Sequence, residues 1–348
     1  MIYYDVTKMA GARQKSGLTR VSCRLQEELG AAVKPVAWDE GFREFKGWSR
    51  IQFQPADWLL TVELFSGAER PGFREWIGRH ECRLAAIFYD AIPLRFPQVT
   101  WPQSVERHPD YMKMLAGFDH VFAISEASKK DLRGFWHWQG VEPRAKVSTV
   151  EFGADFDGSQ RVTRVRPAAP GTRLQLLCVG IVEPRKNQGF LLDICEALWR
   201  EGLDFDLHIV GRVNPHFGKP LEKRFTQTRQ REARFHFHPA ASDITLKKLY
   251  RNARAVMLPT QAEGCGLPLL EALWHSVPCV CSDLPVLREN ADGGGCLPAK
   301  VDDPSDWLMK LRMVLTDEVT CQSLRAEATK RTLPRWKDTA QALSIALQ

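Results

Sequence analysis

No stretch of this chain approaches the roughly 18 consecutive apolar residues that a membrane-spanning helix needs, which excludes a helical membrane protein. Low-complexity tracts and short-period repeats are missing as well, so disordered, collagen-like and solenoid classes fall away. The opening residues Met1-Ile2-Tyr3-Tyr4-Asp5-Val6 lack the basic-then-apolar profile of a signal peptide and read as a first strand. Nine cysteines are scattered without zinc-type spacing, and the closest pair is Cys279/Cys281. An odd number of thiols without a signal peptide argues for reduced cysteines. The expectation is a soluble cytoplasmic protein, with a peripheral seat at the inner face of the plasma membrane as an option. Readout motifs of nucleic-acid-binding proteins are absent too, and the net charge of +6 is only a mild bias towards anionic partners.

A length of 348 residues exceeds one simple core and predicts two domains. The polar, Pro/Gly-rich stretch Gly158–Thr172 divides them. Before it the pattern predicts strands Ile2–Thr7, Leu84–Tyr89 and His120–Ser125, a loop Ala10–Gly17, and helices Leu18–Leu29 and Glu126–Phe135. After it come strands Leu174–Val179, Phe205–Val210, Arg234–His238, Ala255–Pro259 and Pro278–Ser282, separated by helices such as Gly189–Glu201 and Asp243–Ala253. Alternation of this kind specifies an α/β protein with two parallel, doubly wound, Rossmann-like sheets. The predicted division is residues 1–160, residues 172–330, and a last helix in 331–348 that packs back on the first domain.

The segment Glu263-Gly264-Cys265-Gly266-Leu267-Pro268-Leu269-Leu270-Glu271 carries the most chemistry. It sets two carboxylates around a glycine turn that opens a helix between two strands. Pro268 suits the first helical position, and Gly264 and Gly266 let backbone amides approach a ligand closely. A helix N-terminus favours anions, phosphates above all. In parallel sheets ligands bind outside the carboxyl ends of the strands, where both glutamates fall.

This segment resembles the retaining, nucleotide-sugar-dependent glycosyltransferases of family four, whose signature is a Glu, seven residues and a second Glu. Val179-Gly180-Ile181-Val182-Glu183-Pro184-Arg185-Lys186-Asn187 is similar to the family's diphosphate-binding turn. Asp119–Ser128 resembles its strand followed by Ser-Glu, here Ser125-Glu126, and Trp336 with Thr339 and Ala340 resembles its last helix. The resemblance implies the GT-B fold, two such domains facing a central cleft. It implies that Glu263 lies against the transferred sugar and stabilises positive charge in the transition state. Glu271 would bind the donor's ribose hydroxyls, and the amides of Gly266 and Leu267 the sugar or phosphate. Arg185 and Lys186 would neutralise the diphosphate as it departs, with no metal and no cofactor. Ile181 stands where many members carry a further Arg.

In the first half Gly17 matches the glycine of a loop that covers the diphosphate. The stretch Ile87–Pro97 resembles one that usually reads His-Asp, but Tyr89 replaces the His while Asp90 remains. Tyrosine is a poor base at neutral pH, so a catalytic imidazole there is excluded. Asp90 becomes the second catalytic candidate, with Tyr89 and Ser125 as sugar or acceptor contacts. His236 and His238 share a strand face and could ligate a metal, but no third ligand stands nearby in sequence, so no metal site is expected.

The Glu-Pro-Arg-Lys-Asn turn resembles mannosyl- and related hexosyl- or deoxyhexosyltransferases of bacterial surface polysaccharide and lipopolysaccharide assembly. GDP-mannose is therefore the leading donor, and the acceptor a glycan or lipid-linked glycan. A UDP-sugar-dependent transferase, a degenerate non-catalytic scaffold and a nucleotide-sugar epimerase stay open as alternatives. Basic residues interleave with aromatics in Gly41–Arg50 and Arg133–Trp138, so an anionic membrane surface is a further candidate partner.

Overall fold

The computed structural model describes residues 1–9, 17–47, 51–155, 158–163 and 171–348. Of the loop expected at Ala10–Gly17 only Gly17 is therefore described, and Trp48, Ser49 and Arg50 also lie outside the described residues. The chain forms two compact units, Met1–Gly153 with Pro334–Gln348, and Ala154–Leu333.

The first unit is built on β1 (Ile2–Asp5), β2 (Val33–Asp39), β3 (Glu44–Lys46), β4 (Trp58–Thr61), β5 (Arg83–Phe88), β6 (His120–Ala123) and β7 (Lys146–Thr149). Their order in the sheet is β3-β2-β1-β4-β5-β6-β7. All neighbours run parallel except β2 and β3, where Trp38 faces Phe45 in an antiparallel pair. The wholly parallel sheet expected of this half is thus corrected at its edge. The connection there is a short turn through Gly41–Arg43, with Arg43 at φ 52°, and only an antiparallel pair can be joined so briefly. Trp38, Phe45, Phe73 and Trp76 fill the core beneath this edge. Their rings meet mostly edge to face, with centroids 5.2–6.2 Å apart and one stacked pair, Phe73 and Trp76.

The last helix, Trp336–Ala346, packs against the helix Gly17–Leu29 of the same unit. Trp336 is fully buried against Phe152, and Thr339 Oγ1 donates to the Glu151 carbonyl at 2.8 Å. Gly153 ends the unit's first segment, earlier than the Pro/Gly-rich stretch suggests. A Cβ there would sit 2.1 Å from the Trp336 backbone nitrogen, so only glycine admits this approach.

The second unit carries β8 (Leu174–Val179), β9 (Phe205–Val210), β10 (Phe235–His238), β11 (Ala255–Leu258), β12 (Cys279–Ser282) and β13 (Cys296–Ala299). They lie in the order β10-β9-β8-β11-β12-β13, every pair parallel. Every residue of β11 and β12 is buried, as expected for parallel strands covered on both faces. All nine cysteines are free and eight are buried. Hydrogen bonding to Cys281 and Cys296, and then burial, hold the Cys279 thiol well above its usual pKa.

In each sheet the strand order reverses once, between β1 and β4 and between β8 and β11. Loops leaving the carboxyl ends on the two sides of such a reversal diverge and leave a crevice, the usual ligand site of an open α/β sheet.

Candidate active site

At the reversal in the second unit, the loop after β8 carries Arg185 and Lys186 and the loop after β11 carries Glu263. Several bonds stitch the two loops together. Gln261 N–H donates to the Arg185 carbonyl at 2.8 Å, and Thr260 Oγ1 lies 3.1 Å from the same oxygen. Arg185 Nη1 donates to the Ala262 carbonyl at 2.7 Å, while its Nη2 and Nε engage Glu183 Oε1 at 2.7 and 3.1 Å. Glu183 is itself held by Asn214 Nδ2 at 2.9 Å. Asp302, on the loop after β13, accepts from Asn187 Nδ2 at 2.7 Å and Gln261 Nε2 at 2.9 Å.

Across this framework Lys186 Nζ donates to Glu263 Oε1, and Arg185 Nη1 lies 3.7 Å from Glu263 Oε2. The pair is well shielded, with side-chain exposures of 11% for Lys186 and 8% for Glu263. Burial tends to raise the Glu263 pKa, but Lys186 and Arg185 outweigh it and hold the carboxyl below its ordinary value. Glu263 therefore stays ionised between two cations. Such an array can present positive charge to a polyanion and a carboxylate to whatever the polyanion carries.

The helix Leu267–Trp274 starts at the same place, with Gly266 as its N-cap at φ 80°. The left-handed turn favours glycine here, and a Cβ on Gly266 would come 2.4 Å from Leu287 Cδ2, so that side chain would have to shift. Gly264 is buried in the loop, and Leu267 is the first helical residue with Pro268 beside it. Glu271 lies on this helix, buried, and its Oε2 accepts the Tyr250 hydroxyl at 2.6 Å. Tyr250 belongs to the helix Asp243–Asn252 and stacks on His275 at 5.3 Å. Sequence reading missed Tyr250, because nothing local ties it to a glutamate on another helix. It also missed Gly211 after β9, where a Cβ would lie 1.9 Å from the Gly180 carbonyl oxygen. That contact brings the β9 turn under the Arg185/Lys186 loop.

The comparisons with known proteins bear on this unit first. Residues 159–331 match the family model described as glycosyl transferases group 1. The chain belongs to this family. Its relatives include the serotype-specific mannosyltransferase WbdA of Escherichia coli, 28% identical over 328 residues, which cover 82% of this chain and 39% of WbdA. The chain thus spans less than half the length of the curated relatives it matches first. Sucrose-phosphate synthase from Thermosynechococcus elongatus superposes with a TM-score of 0.73 at 15% identity, covering 99% of this chain and 97% of that one. Anabaena HepE, solved in complex with UDP and glucose, gives 0.72 at 12% identity, covering 99% and 98%. These likenesses assign the GT-B fold to this glycosyl transferase family member.

In the first unit Tyr89 and Ser125, both expected to contact sugar or acceptor, have hydrogen-bond partners within the protein. Tyr89 is 7% exposed and points its hydroxyl inward, donating to the Val62 carbonyl at 2.8 Å and packing on Phe152. Burial, and then Tyr111, raise its pKa further, so the phenol acts here as a neutral hydrogen-bond donor. Ser125 caps the helix Glu126–Trp138, accepting from Ser128 N–H at 3.0 Å and donating to Ser128 Oγ at 2.9 Å. Ser128 Oγ donates in turn to the Tyr89 carbonyl at 2.7 Å, so Ser125 anchors the helix to the end of β5.

Asp90 follows β5 and is half-buried. One carboxylate oxygen accepts the Ile92 N–H at 2.9 Å, while its carbonyl lies 2.9 Å from His108 Nε2. Gly17 is the first residue of its helix, and a Cβ there would meet nothing within 4 Å. At this unit's reversal point Glu63 accepts the Lys8 and Met9 amides at 2.7–2.9 Å, and buried Arg70 bridges Glu63 and Asp5 at 2.8 and 2.6 Å.

Proposed function

We propose that the protein is a retaining glycosyltransferase that moves a hexose, mannose from GDP-mannose first, onto a glycan or lipid-linked acceptor of surface polysaccharide assembly. The observation that carries the reading is the Lys186–Glu263 pair at the strand-order reversal, with Arg185 fixed beside it. A donor diphosphate at that point competes with Glu263 for Lys186 Nζ and takes positive charge from both cations. The Glu263 carboxylate is then left facing the sugar, where it stabilises an oxocarbenium-like transition state. As the glycosidic C–O bond breaks, Arg185 and Lys186 stabilise the charge growing on the phosphate oxygen.

Glu271, oriented by the Tyr250 hydroxyl, is the ribose ligand in this proposal, and Gly264, Gly266 and Leu267 line the donor. Asp90 and Gly17 are the first unit's proposed contacts, to acceptor or sugar and to donor respectively. Mannose is favoured by the relatives, which include serotype-specific mannosyltransferases. A UDP-linked donor is the second reading, favoured by the structural neighbour that holds UDP and glucose.

An anionic membrane surface is included as a partner. Phe42 and Trp138 are 69% and 75% exposed, and Lys46 Nζ lies 3.5 Å over the Phe42 ring. The rest of the Arg133–Trp138 stretch contributes less than its composition suggests, since Phe135 and Trp136 are buried. Among the described residues no helix is long and apolar enough to cross a membrane.

The test is donor hydrolysis. Purified protein is incubated with GDP-mannose, UDP-glucose and UDP-galactose, and the released sugar is followed by proton NMR to read its anomeric configuration. Slow hydrolysis of GDP-mannose alone, with the α-anomer first and activity lost in Glu263→Ala, supports the proposal. Turnover of a UDP-sugar instead selects the second reading, and release of the inverted anomer ends the retaining one. Failure of every donor to bind or turn over leaves a non-catalytic scaffold.

A further inference from the structure

The edge of the second unit's sheet carries imidazoles that the donor chemistry does not use. β9 and β10 run parallel, with His208 opposite His236. Alternation places Asp206 and His208 on one face of β9 and His236 and His238 on the same face of β10. The rings stack, with His208 at 4.4 Å and 14° from His236 and at 5.4 Å and 15° from His238. One ligand atom each from Asp206, His208 and His236 lie within 4.8 Å of one another, and His236 Nε2 is 3.4 Å from Asp206 Oδ1. The third ligand missing near His236 and His238 in the sequence thus comes from the neighbouring strand.

His208 supplies the independent observation. It is 8% exposed, its Nδ1 lies 3.1 Å from His238 Nε2, and its buried Nε2 has no hydrogen-bond partner. A buried polar atom without a hydrogen-bond partner is costly and uncommon in folded proteins, so it calls for an explanation. If Nδ1–H donates to His238, the Nε2 lone pair is fixed in the tautomer that a metal ion requires, the arrangement usual for a ligating histidine and its outer partner.

We propose that Asp206, His208 and His236 bind a divalent first-row transition ion of borderline softness, zinc in the first place, with His238 orienting His208 from behind. Two imidazoles and a carboxylate suit such ions, with water completing a tetrahedron. The His236 side chain is 38% exposed at the edge strand, which provides the entry path. Arg173 is the competing cation, with Nη1 3.1 Å from Asp206 Oδ1 and Nε 2.8 Å from Asp204 Oδ1. A bound ion displaces it from Asp206 and leaves it on Asp204. Asp206 stands near the start of β9, whereas Arg185 and Glu263 follow the carboxyl ends of their strands. The ion therefore clamps β10 to β9 and takes no part in transfer.

Tag-free protein is stripped with EDTA, dialysed, and titrated with Zn²⁺ by calorimetry and with Co²⁺ by visible absorption. One equivalent is expected, with a nitrogen/oxygen-type Co²⁺ spectrum and a zinc-dependent rise in Tm. His236→Gln, a change at a half-buried position on the edge strand, should abolish the stoichiometric binding, as should Asp206→Asn. His238→Ala should weaken it about 10–100-fold, as outer partners do, while His80→Gln, in the first unit, leaves it unchanged. The proposal is overturned if the wild type binds no stoichiometric ion, if His236→Gln binds as well as the wild type, or if thiolate charge-transfer bands dominate the Co²⁺ spectrum. Circular dichroism of each variant distinguishes lost ligation from lost folding.

Discussion

Replacing Glu263 by Gln keeps the shape of the side chain and removes its charge, leaving Lys186 shielded beside Arg185 without its anion. Lys186 is 11% and Glu263 8% exposed, and breaking a buried ion pair by removing one partner costs about 3–5 kcal/mol. The amide oxygen still accepts a hydrogen bond and Glu183 still holds Arg185, so the lower end applies, about 3 kcal/mol. At about 2–4 °C per kcal/mol for a domain of this size, the second unit should melt roughly 6–12 °C lower. The double variant Glu263→Gln with Lys186→Met removes both charges and should recover part of the loss, with a coupling of about 1–3 kcal/mol.

Ligand binding should move the other way. Without Glu263 competing for Nζ, GDP should raise the Tm of Glu263→Gln by at least as much as it raises that of the wild type, while transfer is lost. The acid side supplies a second check. The folded pKa of Glu263 is depressed, so its stabilisation is complete above the ordinary carboxylate range and is lost as pH falls through that lowered value. Wild type and Glu263→Gln should therefore converge in Tm at acid pH. Equal melting at neutral pH, or strictly additive single and double variants, would refute the pair as the organising contact of the site.

Tyr250→Phe deletes the hydroxyl on Glu271 Oε2; a loss of about 1–2 kcal/mol in chemical denaturation should accompany weaker nucleotide binding by calorimetry. Gly211→Ala drives a Cβ to 1.9 Å from the Gly180 carbonyl oxygen at φ 155°, so it should destabilise the unit by on the order of 3 kcal/mol and raise the donor KM through the displaced Lys186 loop. Arg70→Leu strands Asp5 and Glu63 as buried carboxylates and should cost about 3–5 kcal/mol at neutral pH. Burial, and then Asp5, already raise the Glu63 pKa, so this penalty should shrink as pH falls and Glu63 takes up a proton. A urea titration repeated across pH checks that sign.

Much of the site was legible because its parts are contiguous. Glu263, Gly266, Leu267 and Glu271 span one strand–turn–helix connection, and the glycine, proline and carboxylate spacing is a local code. The helix start at Glu126 was readable for the same reason, since its cap bonds within three residues. The short antiparallel β3 was not, because its pairing rests on a turn with Arg43 in the left-handed region, for which no Gly-Asn signal stands in the sequence. The partner of the Tyr89 hydroxyl was not legible either, because it is the backbone carbonyl of Val62, 27 residues away.

By itself, the sequence determined two doubly wound α/β halves, the loops that bear the charged residues and the end of each strand at which they emerge. Local propensity and period-two or helical patterning suffice for that. Strand order was decided only by tertiary structure, and with it the reversal that sets Lys186 against Glu263 across β8 and β11. The same holds for Tyr250 meeting Glu271, and for Asp206 and His208 completing what His236 and His238 begin. A side-chain period tells a strand which face to bury but not which neighbour to pair with. That choice is made by packing between segments far apart in the chain, where no local signal reaches.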